Sequence, residues 1–178
     1  MDIELRNRYL FSQKLVKEVG EIALDFYLNR NELKIECKKG DLQDQVSIAD
    51  KTVEAKIKDA LKSHFPQDGF LGEESGAENL ACEYCWVVDP IDGTSSFLYG
   101  LNAWCISIAI LHKNQIVCGV IFDPVHNELF SAMKGDGAFL NDHPIRASSS
   151  ISLKEGLIGL GVSHRVHPNT FTPVLNHI

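Results

Sequence analysis

Asp89 and Asp92 flank Pro90-Ile91 directly after the apolar run Trp86-Val87-Val88, and Gly93-Thr94 follow at once. Pro90 fixes its own φ and Gly93 tolerates unusual backbone angles, so D-P-I-D-G-T is expected to form a stiff turn at a strand end. Carboxylates held on such a turn suit a hard cation such as Mg²⁺. A second acidic pair, Glu73-Glu74, follows the short apolar stretch Gly69-Phe70-Leu71-Gly72. Sequential strands usually neighbour each other, so the two acidic ends are expected to converge. Carboxylates that close repel one another unless cations neutralise them. Gly93-Thr94-Ser95 opens a short helix in this reading, and its free N–H groups would donate to a phosphate oxygen. Cations beside such a terminus fit phosphate-ester hydrolysis by activated water. A lone D-x-x-D, Glu-Glu or Gly-Thr is more often a solvated turn or plain surface. It is their conjunction that points to chemistry.

The elements that must position these residues are visible upstream and downstream. Leu5, Tyr9, Leu15, Val16, Val19, Ile22, Ala23 and Phe26 recur at helical spacing and predict a long first helix. A polar segment with Gly40, Asp41 and Asp44 is expected to be a loop or hairpin. Val53, Ile57, Leu61 and Phe65 form the stripe of a second helix over residues 49–64, which Ser47 and Asp50 cap and Pro66 ends. Residues 104–111, 116–122 and 128–133 then read as an antiparallel meander, with turns at Lys113-Asn114 and residues 123–127. Gly135 and Gly137 mark a further turn, and one more strand is expected near residues 157–160. The fold class is α+β: two N-terminal helices packed on a largely antiparallel β-sheet. Residues 1–178 are expected to be a single domain.

With 178 residues and a formal net charge of −7, the chain is long enough for a real core and too acidic for a broad nucleic-acid surface. No apolar run approaches the ~20 residues of a membrane span. The opening Met1-Asp2-Ile3-Glu4 lacks the pattern of a secretory signal, so a cytoplasmic protein is expected. The five cysteines are odd in number and irregular in spacing, which argues against a disulfide framework. Cys105 and Cys118 lie in apolar runs and read as core thiols, as Trp104 reads as core. Cys82-Glu-Tyr-Cys85 has no second ligand pair for zinc and reads as two reduced thiols. His164-Arg165-Val166-His167 reads as loop, and Lys38-Lys39 as surface.

Gly72-Glu73-Glu74-Ser75 followed by Trp86-Val87-Val88-Asp89-Pro90-Ile91-Asp92-Gly93-Thr94 resembles the first signature of the inositol monophosphatase family. Val46-Ser47-Ile48-Ala49-Asp50 is similar to the family's V-T-x-x-D. Gly119-Val120-Ile121-Phe122-Asp123-Pro124 and Gly135-Asp136-Gly137-Ala138-Phe139-Leu140-Asn141 look like its sheet strands and turns. The resemblance runs over residues 5–165. It implies Glu73, Asp89, Asp92 and the Ile91 carbonyl as metal ligands for Mg²⁺, with Glu74 beside them. It implies Asp50 and Thr94, together with Glu73, as the groups that activate water, and Asp92, Gly93, Thr94 and Ser95 as the phosphate contacts. No covalent phosphoenzyme is implied, and the substrate would be a small phosphorylated polyol handled by a homodimer.

Two departures stand out. Ser95-Ser96 replaces the common Thr-Asn and keeps a hydroxyl at the first position. The family's second signature, of the form W-D-x-A-A with a metal-ligating Asp, does not occur. The resemblance therefore implies a chain lacking the C-terminal part, with two readings open: a phosphatase, or a truncated metal-binding or dimerising chain. The haloacid dehalogenase type uses D-x-D-G-T with an Asp nucleophile. Here the spacing is one residue longer, which turns the second Asp to the other side of the strand end. Histidinol phosphate, sugar bisphosphates and phosphorylated nucleotides remain open as alternative substrates.

Overall fold

In the computed structural model, residues 3–33, 35–37, 45–155 and 168–175 are described. The first expected helix is α1 (Ile3–Leu28). Tyr9, Leu15, Val16, Val19 and Ala23 are buried as the periodicity requires, while Leu5, Ile22 and Phe26 are only half-buried. The stripe also takes in Arg8, Ser12 and Tyr27. Their polar groups are satisfied locally: Ser12 Oγ donates to Tyr9 O (2.7 Å), Tyr9 Oη to Ser131 Oγ (3.0 Å) and Tyr27 Oη to Asn102 Oδ1 (2.9 Å). Buried hydroxyls cost little when so paired.

Arg8 shows the same rule for a charge. Its guanidinium donates to Asp68 through Nε (2.7 Å) and Nη2 (2.8 Å), and Trp86 Nε1 donates to Asp68 Oδ2 at 2.8 Å. Arg8 also lies over the Tyr84 ring, 4.0 Å from its centroid. A fork-shaped cation meeting a carboxylate with two parallel bonds is the strong form of the ion pair.

α2 (Ile48–His64) begins with a capping box: Ala49 N donates to Ser47 Oγ (3.1 Å) and Ser47 N donates to Asp50 Oδ2 (2.9 Å). Two N–H groups that the helix leaves orphaned are thereby satisfied. Val53, Ile57 and Leu61 face the core, and Phe65 closes the helix with its N–H on Leu61 O (2.7 Å), just before Pro66. Ahead of α2, β1 (Ile35–Cys37) pairs antiparallel with β2 (Gln45–Ser47), the flanks of the expected hairpin; its residues 40–44 lie outside the described residues.

The main sheet comprises β3 (Gly69–Gly72), β4 (Gly76–Glu78), β5 (Tyr84–Asp92), β6 (Cys105–His112), β7 (Gln115–Asp123), β8 (Glu128–Met133), β9 (Gly137–Leu140) and β10 (His143–Ile145). Their order is β10-β9-β8-β7-β6-β5-β3-β4. Every neighbouring pair is antiparallel except β3 with β5, which run parallel with Gly72 opposite Val88. The meander over β6, β7 and β8 falls where the sequence puts it. β5 is longer than its apolar run: it continues through Pro90 to Asp92, with a break in register between Asp89 and Asp92. Asp89–Asp92 is therefore an irregular strand end rather than a turn. Proline is accommodated there because a bulge needs no ladder N–H.

One face of the sheet presents Trp86, Val88, Ile106, Ile108, Ile110, Val120, Phe122 and Leu129 to the two helices. Trp104 is core, 3% exposed, packed edge-on against Phe97 and close to Tyr27. Cys118 is buried as expected, but Cys105 is only half-buried. The opposite face alternates outward with Val87, Ala109, Gly119, Ile121, Phe130 and Ala132, an apolar set of which Ile121, Phe130 and Ala132 are exposed.

The chain divides into two compact units, Met1–Ile145 and Arg146–Ile178. In the second, a 3-10 turn at Leu153–Glu155 and α4 (Pro168–Leu175) are described. The strand expected at residues 157–160, the segment His164-Arg165-Val166-His167 and Lys38-Lys39 lie outside the described residues. Among the described residues no helix is long and apolar enough to cross a membrane.

Candidate functional site

The parallel pairing of β3 and β5 is what brings the acidic residues together. Parallel strands end at the same edge of a sheet, whereas antiparallel neighbours end at opposite edges. Glu73 N donates to Val88 O at 3.2 Å, so Glu73 leaves β3 beside the residue that precedes Asp89. Asp89 Oδ1 is buried with no hydrogen-bond partner among the described residues. The Asp89 carboxyl is pushed up to about 7, by burial first and then by the negative charges of Glu73 and Asp92, with a hydrogen bond that the protonated Asp89 donates to the Glu73 side chain adding to the effect. An orphaned carboxylate oxygen among like charges is the kind of group a hard cation satisfies. Among the described residues, no three His, Cys, Asp or Glu side chains form a ready-made metal cage.

Asp92 is exposed at the end of β5, opposite Cys105, whose Sγ lies 3.8 Å from Asp92 Oδ2. The Cys105 thiol is pushed up to about 12, by burial and then by the charges of Asp92 and Asp89. It is a protonated neighbour of the acidic cluster rather than a core thiol, which corrects the expectation from its apolar flanks.

Gly93 turns the chain into α3 (Thr94–Tyr99) with φ of 92°. A Cβ there would lie 2.8 Å from Ala103 O, so glycine is required both by the left-handed angle and by the close approach. The first-turn N–H groups of α3 have no acceptor from a side-chain cap at Gly93. Ser95 is exposed at this turn.

Thr94 Oγ1 lies 3.1 Å from Asp50 Oδ1 and 3.1 Å from Ile91 O, and its single proton goes to one or the other. Asp50 is 0% exposed, and its Oδ2 accepts from Ser47 Oγ at 2.7 Å. Burial pushes the Asp50 carboxyl above the usual range, while hydrogen bonds from Ser47, from its own backbone N–H and from Thr94 hold it down. The capping carboxylate of α2 is thus also the partner of Thr94.

Glu54 was not singled out by the sequence reasoning. It is 2% exposed, and its two carboxylate oxygens accept from Glu74 N (2.8 Å) and Ser75 N (2.7 Å). The signal was present: Asp50, Glu54, Ile57 and Leu61 are spaced four, three and four along α2, which is the core-facing rhythm. Gly72 belongs to the same contact, because a Cβ there would overlap the Glu54 carboxylate.

The class so defined is a layered α+β fold with an acidic site at the matched ends of a parallel strand pair, backed by a helix-borne Asp. The profile of the inositol monophosphatase family matches residues 4–177. The chain belongs to the inositol monophosphatase family. Inositol-1-monophosphatase of Mesorhizobium japonicum is 41% identical over 138 residues, covering 76% of this chain and 52% of the relative. A putative Nus factor SuhB of Neisseria meningitidis is 36% identical over 149 residues, 83% of this chain and 56% of the relative. The solved structure of a Thermotoga maritima IMPase matches with a TM-score of 0.75 at 33% identity, covering 83% of this chain and 56% of that one. The chain spans about half the length of the curated relatives it matches.

Proposed function

We propose that this chain is the N-terminal catalytic portion of a phosphoric monoester hydrolase acting on a small inositol-phosphate-like polyol, with Mg²⁺ as cofactor. The observation that supports it most is the meeting of Glu73 and Asp89 at the matched ends of β3 and β5, on the strand that leads into the Thr94–Asp50 pair. Glu73, Asp89, Asp92 and the Ile91 carbonyl would hold the cation. All are hard oxygen donors, and the orphaned Asp89 Oδ1 favours such an ion. When bound, Mg²⁺ would polarise the phosphate and make a nearby water more acidic.

The chain's own residues supply the rest. Asp50 accepts the Thr94 proton, which leaves Thr94 Oγ1 as acceptor for a proton of the attacking water. The buried Asp50 carboxyl, held above its ordinary range, is suited to taking up that proton. Gly93, Thr94 and Ser95 offer backbone N–H groups, with Asp92 alongside, to orient the phosphate. Water attacks phosphorus, the P–O ester bond breaks, the leaving alkoxide takes a proton from solvent water, and the proton taken up at Asp50 returns to solvent. A cytoplasmic homodimer completes the proposal, and the free thiols at Cys82, Cys85, Cys105 and Cys118 agree with a reducing compartment. The net charge of −7 supports a site for small molecules rather than nucleic acid.

The test is phosphate release by this chain, with and without Mg²⁺, on inositol monophosphate, histidinol phosphate, a sugar bisphosphate and a phosphorylated nucleotide. Mg²⁺-dependent release that Asp92→Asn lowers by about 100-fold or more is expected. Release that is indifferent to both chelator and Asp92→Asn overturns the proposal, and trapping of an aspartyl-phosphate mimic by beryllium fluoride would favour the haloacid dehalogenase chemistry. A second reading is a non-catalytic metal-binding or dimerising chain. Cation binding with no release from any substrate would select it.

A further inference from the structure

Glu54 is a buried carboxylate that the proposed chemistry leaves without a role. It stands four residues after Asp50 on α2, and both side chains are almost fully buried, at 2% and 0% exposure. Asp50 reaches Thr94 at the start of α3; Glu54 reaches the backbone of the segment that follows Glu73. One rigid helix therefore touches both halves of the acidic site. The two N–H groups of Glu74 and Ser75 converge on two separate oxygens of Glu54. Only a carboxylate accepts at both positions; a glutamine offers one oxygen and would set its NH₂ against the other donor. Hydrogen bonds to an ionised acceptor are also about twice as strong as neutral ones. Gly72 has no side chain where the Glu54 carboxylate lies, so the strand end and the helix approach as closely as this contact needs.

We propose that Glu54 is a positioning residue for the cation site: by clamping the backbone of Glu74 and Ser75 it fixes where Glu73 leaves β3 relative to Asp89. The inference rests on the proposed role of Glu73 and Asp89 as cation ligands. Glu54 touches neither cation nor substrate. It acts through the turn, and its charge adds to the field that favours a cation. Residues that orient ligands in this way typically change metal affinity by about 10–100-fold when altered.

The test is titration of the full chain with Mn²⁺, read by the loss of free-ion magnetic resonance signal. Four proteins are compared: wild type, Glu54→Gln, Asp92→Asn, and a variant at the fully buried Ile57 chosen to match Glu54→Gln in melting temperature. Glu54→Gln is expected to weaken Mn²⁺ binding about tenfold or more, while the Ile57 variant stays within about twofold of wild type. Wild-type affinity in Glu54→Gln, or equal losses in Glu54→Gln and the Ile57 variant, overturns the proposal. Unchanged binding in Asp92→Asn overturns the underlying cation-site reading instead, so the two failures are distinct. Should Glu54→Gln not fold, amide exchange on the wild type decides. Mg²⁺ is expected to slow exchange at Glu74 and Ser75, and exchange there unmoved by saturating Mg²⁺ overturns the clamp.

Discussion

Thr94 Oγ1 and Asp50 Oδ1 lie 3.1 Å apart, and this contact ties the first residue of α3 to the first turn of α2. If the pair handles the proton of the attacking water, Thr94→Ala is expected to lower kcat for phosphate release by about 10²–10⁴-fold with little change in KM. Thr94→Ser keeps the hydroxyl and should retain most of the rate. Steady-state kinetics on the two variants check this, with circular dichroism as the control for folding.

Asp89 gives a pH dependence with a definite sign. Its folded-state value, raised to about 7 from an ordinary 3.8, means that the folded protein holds a proton the unfolded chain has already lost. The contribution to stability is therefore full below about pH 4 and is lost as pH rises through about 7. In the absence of divalent cations, melting temperature is expected to fall between about pH 4 and about pH 7, and Mg²⁺ is expected to restore it increasingly over the same interval. Thermal melts with and without chelator measure both trends. Asp89→Asn should flatten the pH slope and remove most of the Mg²⁺ effect.

At Gly72 the expected cost is steric. A Cβ would overlap the Glu54 carboxylate and lie 2.6 Å from the Phe70 ring. Gly72→Ala should destabilise by about 1–3 kcal/mol, seen as a lower urea midpoint with an unchanged m-value. Combining it with Glu54→Ala should cost less than the sum of the two single changes, because the clash is removed.

Removing Arg8 would strand a charge. The Asp68 side chain is 5% exposed and receives two bonds from Arg8 and one from Trp86. Arg8→Met is expected to cost about 3–5 kcal/mol in denaturant unfolding. Arg8→Met with Asp68→Asn should cost less, since the amide oxygen still accepts from Trp86 and no buried charge remains.

Local rules made much of this readable beforehand. The Ser47–Asp50 cap, the Val53-Ile57-Leu61 stripe and the β6–β8 meander each announce themselves within a few residues, because capping, helical period and strand alternation are local physics. The acidic motif was legible for the same reason. What escaped was decided by long-range pairing. The convergence of Glu73 and Asp89 was expected from strand order, but the parallel sense of β3 and β5 that brings it about leaves no mark on either strand. Pro90 suggested a turn, while pairing with β6 carried the strand on to Asp92. Glu54 was passed over because a charged helix residue is usually solvated, and its burial depends on two amides twenty residues away. The same holds for Cys105, whose apolar flanks hid an aspartate across the ladder.

The parallel β3–β5 pair also bears on how quickly the protein acquires its site. Antiparallel neighbours such as β7 and β8 close through short turns, but Asp50 and Thr94 are 44 residues apart in the chain. Their meeting needs α2 seated, β3 formed and β5 threaded alongside it in one direction. Loop closure of that length must be met before any reward arrives. The meander is therefore expected to form early, and the acidic site late.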